Sequence, residues 1–208
     1  MPRPRPWVSL GQATAPDGTP LTLRRLGDEF LIQASGCDLM SSRMHGSEEA
    51  LATFGCAHLR SASQPRVLVG GLGMGYTLRA TLDALPADAT IVVAELLQEV
   101  VAWNRGPLGP LAGHPLEDPR VRVEVGDVAI LLRNRRAAPY DAILLDVDNG
   151  PRAFTLTENA GLYGAVGLSA AYAALKPGGL LAVWSAWEDG DFERRLQRSG
   201  FTVDTRRV

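Results

Sequence analysis

The sequence predicts an α/β fold, with a doubly wound, mostly parallel sheet that follows a small N-terminal β unit. Two observations predict it. A buried-strand pattern at residues 66–70 runs through a glycine-rich turn into a helical pattern. Strand and helix patterns then alternate towards the C-terminus. Such alternation is typical of parallel strands with helices on both faces of the sheet.

Composition narrows the classes of protein that the chain can represent. The 208 residues suit one domain with a small appendage, and 46% are hydrophobic, as expected for a packed core. The net charge of -2 and the lack of a basic stripe argue against nucleic-acid binding. No apolar run reaches the roughly 20 residues that a membrane helix needs. Residues 1–6 show no signal-peptide pattern, so we expect a disordered start and a cytoplasmic protein.

The cysteines and histidines predict neither a disulfide framework nor a metal site. Cys37 and Cys56 have no ligand-like spacing, and the three histidines are scattered along the chain: His45, His58 and His114. We therefore expect free thiols and no bound metal.

Residues 7–46 are predicted to form the small β unit. Strand patterns at 7–10 and 21–24 flank a turn-rich stretch at 15–20, and residues 29–34 form a third strand pattern. A unit of two or three strands is marginal alone, so it must pack on the main domain or on another subunit. Residues 47–208 then form the Rossmann-like domain.

The main domain is predicted to begin with a helix at Ser47. Glu48 and Glu49 follow in its first turn, where the helix dipole favours acids, and the helix runs to about residue 59. After the next strand, Gly71, Gly73 and Gly75 form a turn that lets the backbone approach a ligand. A tight turn without a ligand is the alternative.

Glu95 makes a nucleoside the expected ligand of that turn. It ends the strand pattern at 90–94 and lies about 20 residues beyond the glycines, the position of a ribose-binding acid. A helix-capping or solvated glutamate is the alternative.

The remaining elements follow from the same patterns. A loop at 106–119 is long enough to cover a site. Further helices are predicted at 96–104, 128–136, 162–175 and 191–198, and further strands at 121–125, 140–145, 180–185 and from 201.

Acidic residues stand at the ends of three successive strands, where open parallel sheets bind ligands. Asp127, after the third strand, is placed to accept from an adenine amine or to cap the next helix. Acids at Glu95, Asp127 and Asp146 would repel phosphates, so they favour S-adenosylmethionine over NAD. The sequence has no P-loop lysine, which argues against ATP.

Asp146 and Asp148 are the candidate catalytic residues. A carboxylate beside a sulfonium centre stabilises positive charge and can take a proton from an amine. Side chains two apart on an extended segment point the same way, so both can face the site. A turn of capping aspartates is the alternative.

Five stretches resemble the spermidine synthase (polyamine aminopropyltransferase) family, whose domain is class I methyltransferase-like and Rossmann-like. They read VLVGGLGMGYTLRA, VVAEL, DPRVRVEVGD, YDAILLDVDNGP and ALKPGGLLAVW. The resemblance implies that Glu95 holds the ribose, Asp127 the adenine and Asp146 the reaction centre. It also implies decarboxylated S-adenosylmethionine as the cofactor, an amine as the acceptor and a homodimer.

The chain departs from the family where ammonium groups are recognised. Met74 stands at the aspartate of the family's glycine turn, and Asn149 stands at its second aspartate, beside Asp148. The family's Tyr-His-Glu block aligns with residues 47–49, which makes Glu49 and Asn149 candidate substrate-binding residues. The aromatic residues that could line an acceptor pocket, or simply pack in the core, are Trp184, Trp187 and Tyr163.

The function predicted from the sequence is a spermidine synthase-like transferase that binds S-adenosylmethionine or its decarboxylated form. The altered ammonium-recognising acids slightly favour transfer of a methyl over an aminopropyl group to a small-molecule acceptor. A nucleoside-binding scaffold protein without catalysis is the main alternative. An NAD-dependent oxidoreductase fits less well because the dinucleotide fingerprint is incomplete and the site is acidic.

Overall fold

The computed structural model describes residues 6–134, 136–147 and 159–208. Asp148 and Asn149, two of the candidate site residues, lie outside the described residues.

The N-terminal unit is a four-stranded antiparallel meander. Its strands are β1 (Val8–Thr14), β2 (Pro20–Leu26), β3 (Glu29–Ala34) and β4 (Cys37–Ser41). The sequence patterns indicated only three of them. β3 and β4 are joined by Ser35 and Gly36, which both have positive φ, and such a two-residue loop matches the twist of a hairpin.

The second sheet has five parallel strands in the order β7-β6-β5-β8-β9. They are β5 (Arg66–Gly70), β6 (Thr90–Glu95), β7 (Val121–Val125), β8 (Tyr140–Leu145) and β9 (Leu175–Val183). The predicted doubly wound parallel sheet is therefore confirmed. The strand order reverses beside β5, and ligands of such sheets bind at that switch point.

Seven α-helices connect or follow these strands in the described part of the chain. They are α1 (Gly46–Cys56), α2 (Tyr76–Ala84), α3 (Gln98–Arg105), α4 (Val128–Arg133), α5 (Asn159–Leu162), α6 (Ala165–Ala174) and α7 (Gly190–Arg198). The predicted loop after α3 contains two short 3-10 helices, Gly109–Ala112 and Pro115–Glu117.

Alternating side chains of the buried strands point into two apolar cores, one on each face of the sheet. Val67, Val69 and Leu144 face the core formed with α1, α2, α3 and the N-terminal sheet. Leu68 and Ile143 face the core formed with α4, α6 and α7. The central strands β5 and β8 are buried on both faces, as expected for a parallel sheet, since residues 67–69 and 142–145 are all 0% exposed.

The N-terminal sheet packs over the glycine turn of the main sheet. Gly11 of β1 lies so close to α3 that an added Cβ would come within 2.5 Å of the Trp103 Nε1 atom. At the other end of the sheet, Met40 of β4 lies against Gly73. The small sheet therefore covers the carboxyl end of β5.

Three helix and strand predictions need correction. α1 begins after His45, and the Ser47 hydroxyl donates to Glu48 Oε2 instead of capping the helix. The helix predicted at 162–175 is interrupted, because the backbone of Gly164 is extended between α5 and α6. Residues 201–204 form no strand, since no backbone pairing joins them to the sheet; Phe201 packs edge-on against Tyr172 of α6.

Candidate functional site

A cavity of about 450 Å³ lies at the carboxyl ends of the parallel strands, beneath the N-terminal sheet. It brings together six of the residues predicted from the sequence: Gly71, Gly73, Glu95, Asp127, Asp146 and Trp184. Gly75 and Glu49 do not line it.

Gly71 and Gly73 allow the turn after β5 to pass close to its neighbours. Gly71 has a φ of +89°, and a Cβ there would collide with the backbone carbonyl oxygen of Asp146. Gly73 has a φ of +52°, and a Cβ would lie 2.7 Å from Met40 Cε. Gly71 therefore requires glycine, whereas at Gly73 the left-handed backbone favours glycine. Both glycines line the cavity.

Gly75 serves the packing of the turn instead. Its φ is +87°, and a Cβ would lie 2.9 Å from the Asn104 Oδ1 atom. The Asn104 side chain donates to the Gly73 carbonyl at 2.8 Å and to the Val100 carbonyl at 3.0 Å. Asn104 therefore fixes the turn on α3, a role that no motif in the sequence indicated.

Glu95 ends β6 as a buried carboxylate held by two backbone amides. Its Oε2 accepts from Leu72 N and its Oε1 from Leu97 N, both at 2.9 Å. Burial raises the pKa of Glu95, and these amide hydrogen bonds oppose that rise. Because a carboxylate has about four acceptor positions, each oxygen can still accept from a ligand hydroxyl.

Asp127 caps α4 and also lines the cavity. Its Oδ1 accepts from Ala129 N at 2.7 Å, which is the capping alternative raised by the sequence. The second carboxylate oxygen is not used by this capping bond. The adenine contact stays a prediction.

Asp146 follows β8 at the centre of the cavity wall. Its backbone N donates to Gly70 O at 2.8 Å, and its Oδ2 accepts from the Thr77 hydroxyl at 2.5 Å. Burial raises the pKa of Asp146 to about 6; the Thr77 hydrogen bond lowers it and the charge of Glu48 raises it. A carboxyl group with such a pKa is a carboxylate above neutral pH and can still exchange a proton there.

Glu48, rather than the predicted Glu49, is the acid of α1 that faces the cavity. Glu48 is only 8% exposed, whereas Glu49 lies on the surface and pairs with His45 at 2.7 Å. Successive helical residues are rotated by about 100°, so the two side chains leave α1 in different directions. Glu48 is in phase with buried Leu51 and Ala52, and this periodicity was the signal in the sequence that would have identified it.

Met74 does not occupy the place of a missing acid in the cavity. It is 1% exposed and packs in the core beneath the N-terminal sheet. Its side chain therefore does not line the cavity, although the sequence alignment put it at a ligand-binding position.

Of the three aromatic candidates, only Trp184 lines this cavity. Tyr163 is buried edge-on against Phe192, and its hydroxyl donates to the Val147 carbonyl at 3.3 Å. Trp187 is half exposed and lines a second cavity of about 960 Å³ between α1, β9 and α7. Core packing is thus the observed role of Tyr163.

Within the described part of the chain, every charged side chain that lines the cavity is acidic. Four acids line it, Glu48, Glu95, Asp127 and Asp146, with no lysine, arginine or histidine among the described lining residues. The rest of the wall is mostly apolar. Such a cavity fits a cationic ligand that carries hydroxyl groups, and it disfavours an anion.

The described part of the chain contains neither a cluster of metal-binding side chains nor a membrane-spanning helix. Within 6–134, 136–147 and 159–208, no three histidine, cysteine or acidic side chains come together as metal ligands. Over the same ranges, every helix is too short or too polar to span a bilayer.

Comparison with known proteins supports the family resemblance. No protein-family model matches the chain. Polyamine aminopropyltransferase 2 of Caldanaerobacter subterraneus subsp. tengcongensis is 35% identical over 85 residues, which are 41% of this chain and 27% of that relative. The match thus spans about a quarter of the relative's length.

Solved structures share the fold over most of the chain. The spermidine synthase of Thermotoga maritima matches with a TM-score of 0.70 and 19% identity, over 96% of this chain and 72% of that one. A spermidine synthase bound to the transition-state analogue AdoDATO gives 0.69, with the same identity and coverage. A probable spermidine synthase of Corynebacterium glutamicum ATCC 13032 gives 0.55 at 20% identity, over 83% and 62% of the two chains. The spermidine synthase-like resemblance and the methyltransferase-like α/β fold are confirmed.

Proposed function

We propose that the chain is an aminopropyltransferase that uses decarboxylated S-adenosylmethionine and an amine acceptor. The observation that carries this proposal is the cavity lined by four carboxylates and, among the described residues, by no cationic side chain. The aminopropyltransferase and spermidine synthase names of the matched proteins support the same reaction class.

The charge of the cavity favours the decarboxylated form of the cofactor. The intact molecule would bring a carboxylate towards Glu48 and Asp146, where like charges repel. The decarboxylated form brings only a sulfonium and an ammonium group. The sequence favoured methyl transfer because Met74 replaces an acid, but Glu48 supplies a buried acid from α1. The preference for methyl transfer is therefore not supported.

The described residues fit the parts of such a cofactor. We assign the ribose hydroxyls to Glu95, the adenine amine to Asp127 and the ammonium group to Glu48. Gly71 and Gly73 leave the space along the turn that a side chain would fill. We assign one wall of the acceptor site to Trp184.

Asp146 is the proposed general base. The bound cofactor supplies a carbon activated by its sulfonium group. The acceptor nitrogen forms a bond to this carbon, the carbon–sulfur bond breaks, and the electron pair leaves with the neutral thioether 5′-methylthioadenosine. Asp146 takes the proton that the amine loses. With a pKa of about 6, Asp146 is mostly ionised at pH 7.5, so it can accept that proton and also stabilise the positive charge.

The two alternatives from the sequence receive less support. A scaffold protein without catalysis has no need for a carboxyl group in the cavity wall whose pKa is raised to about 6. NAD would bring a diphosphate into a cavity lined by acids. The homodimer, the cytoplasmic location, and roles for Asp148 and Asn149 stay predictions.

The test is an assay with decarboxylated S-adenosylmethionine and a panel of mono-, di- and polyamines. We expect stoichiometric release of 5′-methylthioadenosine and of the aminopropylated amine. Asp146→Asn should lower kcat at least about a hundredfold while changing the cofactor Kd less than about threefold, because the base is lost and the shape is kept. Intact S-adenosylmethionine serves as the control cofactor.

Two results would contradict the proposal. Tighter binding of intact S-adenosylmethionine, with a methylated product, would assign methyl transfer. Binding of the decarboxylated form without consumption, across the whole amine panel, would assign a scaffold role.

A further inference from the structure

We propose that Thr77 is a positioning residue that orients the Asp146 carboxylate and keeps it ionised for proton transfer. This inference rests on the proposed function, in which Asp146 is the general base. Thr77 is not among the candidate site residues that the sequence indicated, and it does not line the cavity.

The topology of the sheet brings the two residues together. β5 and β8 are neighbours, and α2 starts directly after the glycine turn of β5. Gly75, with its left-handed backbone, is the N-cap of α2, which places Thr77 in the first turn. Thr77 is 2% exposed, and its hydroxyl donates to Asp146 Oδ2 at 2.5 Å across 69 residues of sequence.

This hydrogen bond takes up one acceptor position of Oδ2 and leaves Oδ1 as the Asp146 oxygen that the Thr77 hydroxyl does not contact. A hydroxyl has a single proton to donate, and Thr77 gives it to Oδ2. The carboxylate is thus fixed through Oδ2, and Oδ1 is the oxygen assigned to accept the proton of the amine.

Among the described residues that line the cavity, the other charged groups carry the same sign as the Asp146 carboxylate. Glu48 faces it from α1, Glu95 from the end of β6 and Asp127 from the start of α4, and these three acids line the same cavity. Burial and the charge of Glu48 raise the pKa of Asp146, whereas the Thr77 hydrogen bond lowers it. Loss of the hydroxyl therefore leaves only groups that raise this pKa.

The experiment compares Thr77→Val with the native chain in two readouts. A hydrogen bond to a charged group contributes about 1.5–3 kcal/mol, so its loss should raise the Asp146 pKa by about one to two units. The base is active only when ionised, so the acidic limb of the kcat profile should move to higher pH by the same amount. At pH 7, kcat should fall roughly two- to tenfold and recover towards pH 9, with KM little changed.

The second readout needs no enzymatic activity. The ¹³C carboxyl resonance of Asp146, assigned with Asp146→Asn, is titrated in the ligand-free protein. Thr77→Ser keeps the hydroxyl and should restore the native pKa. Thr81→Val removes an equally buried hydroxyl from the same helix and should leave the Asp146 pKa unchanged. Thr77→Ala replaces Thr77→Val if the latter does not fold by circular dichroism.

The outcomes separate this inference from the proposed function. A native Asp146 pKa in the folded Thr77 variant that lacks the hydroxyl, or an equal shift in Thr81→Val, would overturn the positioning role. A second outcome is also informative: the Asp146 pKa shifts in Thr77→Val, but the native protein transfers no aminopropyl group to any amine. This outcome would confirm the hydrogen bond and overturn the proposed function, including the role of Asp146 as its general base.

Discussion

Glu48 shows how the angular position of one side chain decides its chemistry. The family alignment pointed to Glu49, but Glu49 pairs with His45 on the surface and Glu48 enters the cavity. The Ser47 hydroxyl donates to Glu48 Oε2 at 2.6 Å, which holds the buried carboxylate in place. The two neighbouring glutamates therefore form a natural pair of test and control positions.

Glu48→Gln should weaken the binding of decarboxylated S-adenosylmethionine by about 30- to 1,000-fold, because a buried ammonium would lose its partner, at a cost of about 2–4 kcal/mol. Glu49→Gln should change the Kd less than about threefold. Calorimetric titration measures both. Equal losses in the two variants would contradict the assignment of Glu48.

The same variant has a second effect, on Asp146. The charge of Glu48 raises the pKa of Asp146, so its removal lowers that pKa and extends the acidic limb of the kcat profile to lower pH. A shift in the opposite direction would contradict the electrostatic coupling of the two acids.

At the scale of the element, the glycine turn after β5 sets the shape of the site. Gly71 and Gly73 line the cavity, and Gly75 starts α2 and packs against Asn104. The pattern of glycines predicted a turn with a ligand, but it did not separate these roles. Each role depends on which neighbour lies within contact distance, and that neighbour comes from another element.

Gly71→Ala and Gly36→Ala separate backbone strain from collision. Both glycines have a similar positive φ, +89° and +82°, but only a Cβ at Gly71 meets the Asp146 backbone, while nothing lies within 4 Å of one at Gly36. We expect Gly36→Ala to cost about 1–2 kcal/mol of unfolding free energy and Gly71→Ala at least about 3 kcal/mol. Denaturant unfolding measures both values.

Ligand affinity provides a further check on the turn. Gly71→Ala should also lose cofactor binding, because relief of the collision displaces the turn or Asp146. Gly36→Ala should bind normally. Similar unfolding free energies and affinities in the two variants would show that the turn tolerates a side chain.

At the scale of the whole molecule, the two sheets together make the site. The parallel sheet supplies all strand-end acids, and α1 adds Glu48, while the N-terminal sheet contributes only uncharged residues to the cavity wall. The cavity therefore has acidic residues on the side of the parallel sheet and α1, and uncharged residues on the side of the N-terminal sheet. This arrangement attracts a cation without offering a counter-charge to an anion.

The acidic cavity predicts an association rate that depends on salt. Decarboxylated S-adenosylmethionine carries two positive charges, so its association rate should fall several-fold between 50 and 500 mM NaCl as screening grows. The neutral 5′-methylthioadenosine is the matched control and should change less than about twofold. Stopped-flow tryptophan fluorescence, with Trp184 at the cavity, measures both rates. Equal salt dependence of the two ligands would argue against electrostatic attraction.

The sequence by itself determined the parallel sheet, the order of most elements and the cluster of Glu95, Asp127 and Asp146 at one edge. These follow from local periodicity and from the rule that parallel strands end on the same side of the sheet. It also supplied the family resemblance, because the motifs that carry it are contiguous. The fourth strand, Cys37–Ser41, was missed because its half-exposed residues lack a clear alternating pattern.

Only the tertiary structure decided which side chains of those elements meet. The burial of Met74, the entry of Glu48 into the cavity and the Thr77 hydrogen bond to Asp146 depend on the angle at which each helix packs on the sheet. The contacts that determine those angles come from residues distant in sequence, such as Gly11 against Trp103. Local patterns carry no record of such contacts. The periodicity of α1 marks Glu48 as a buried residue, but only the folded chain places its side chain at the cavity.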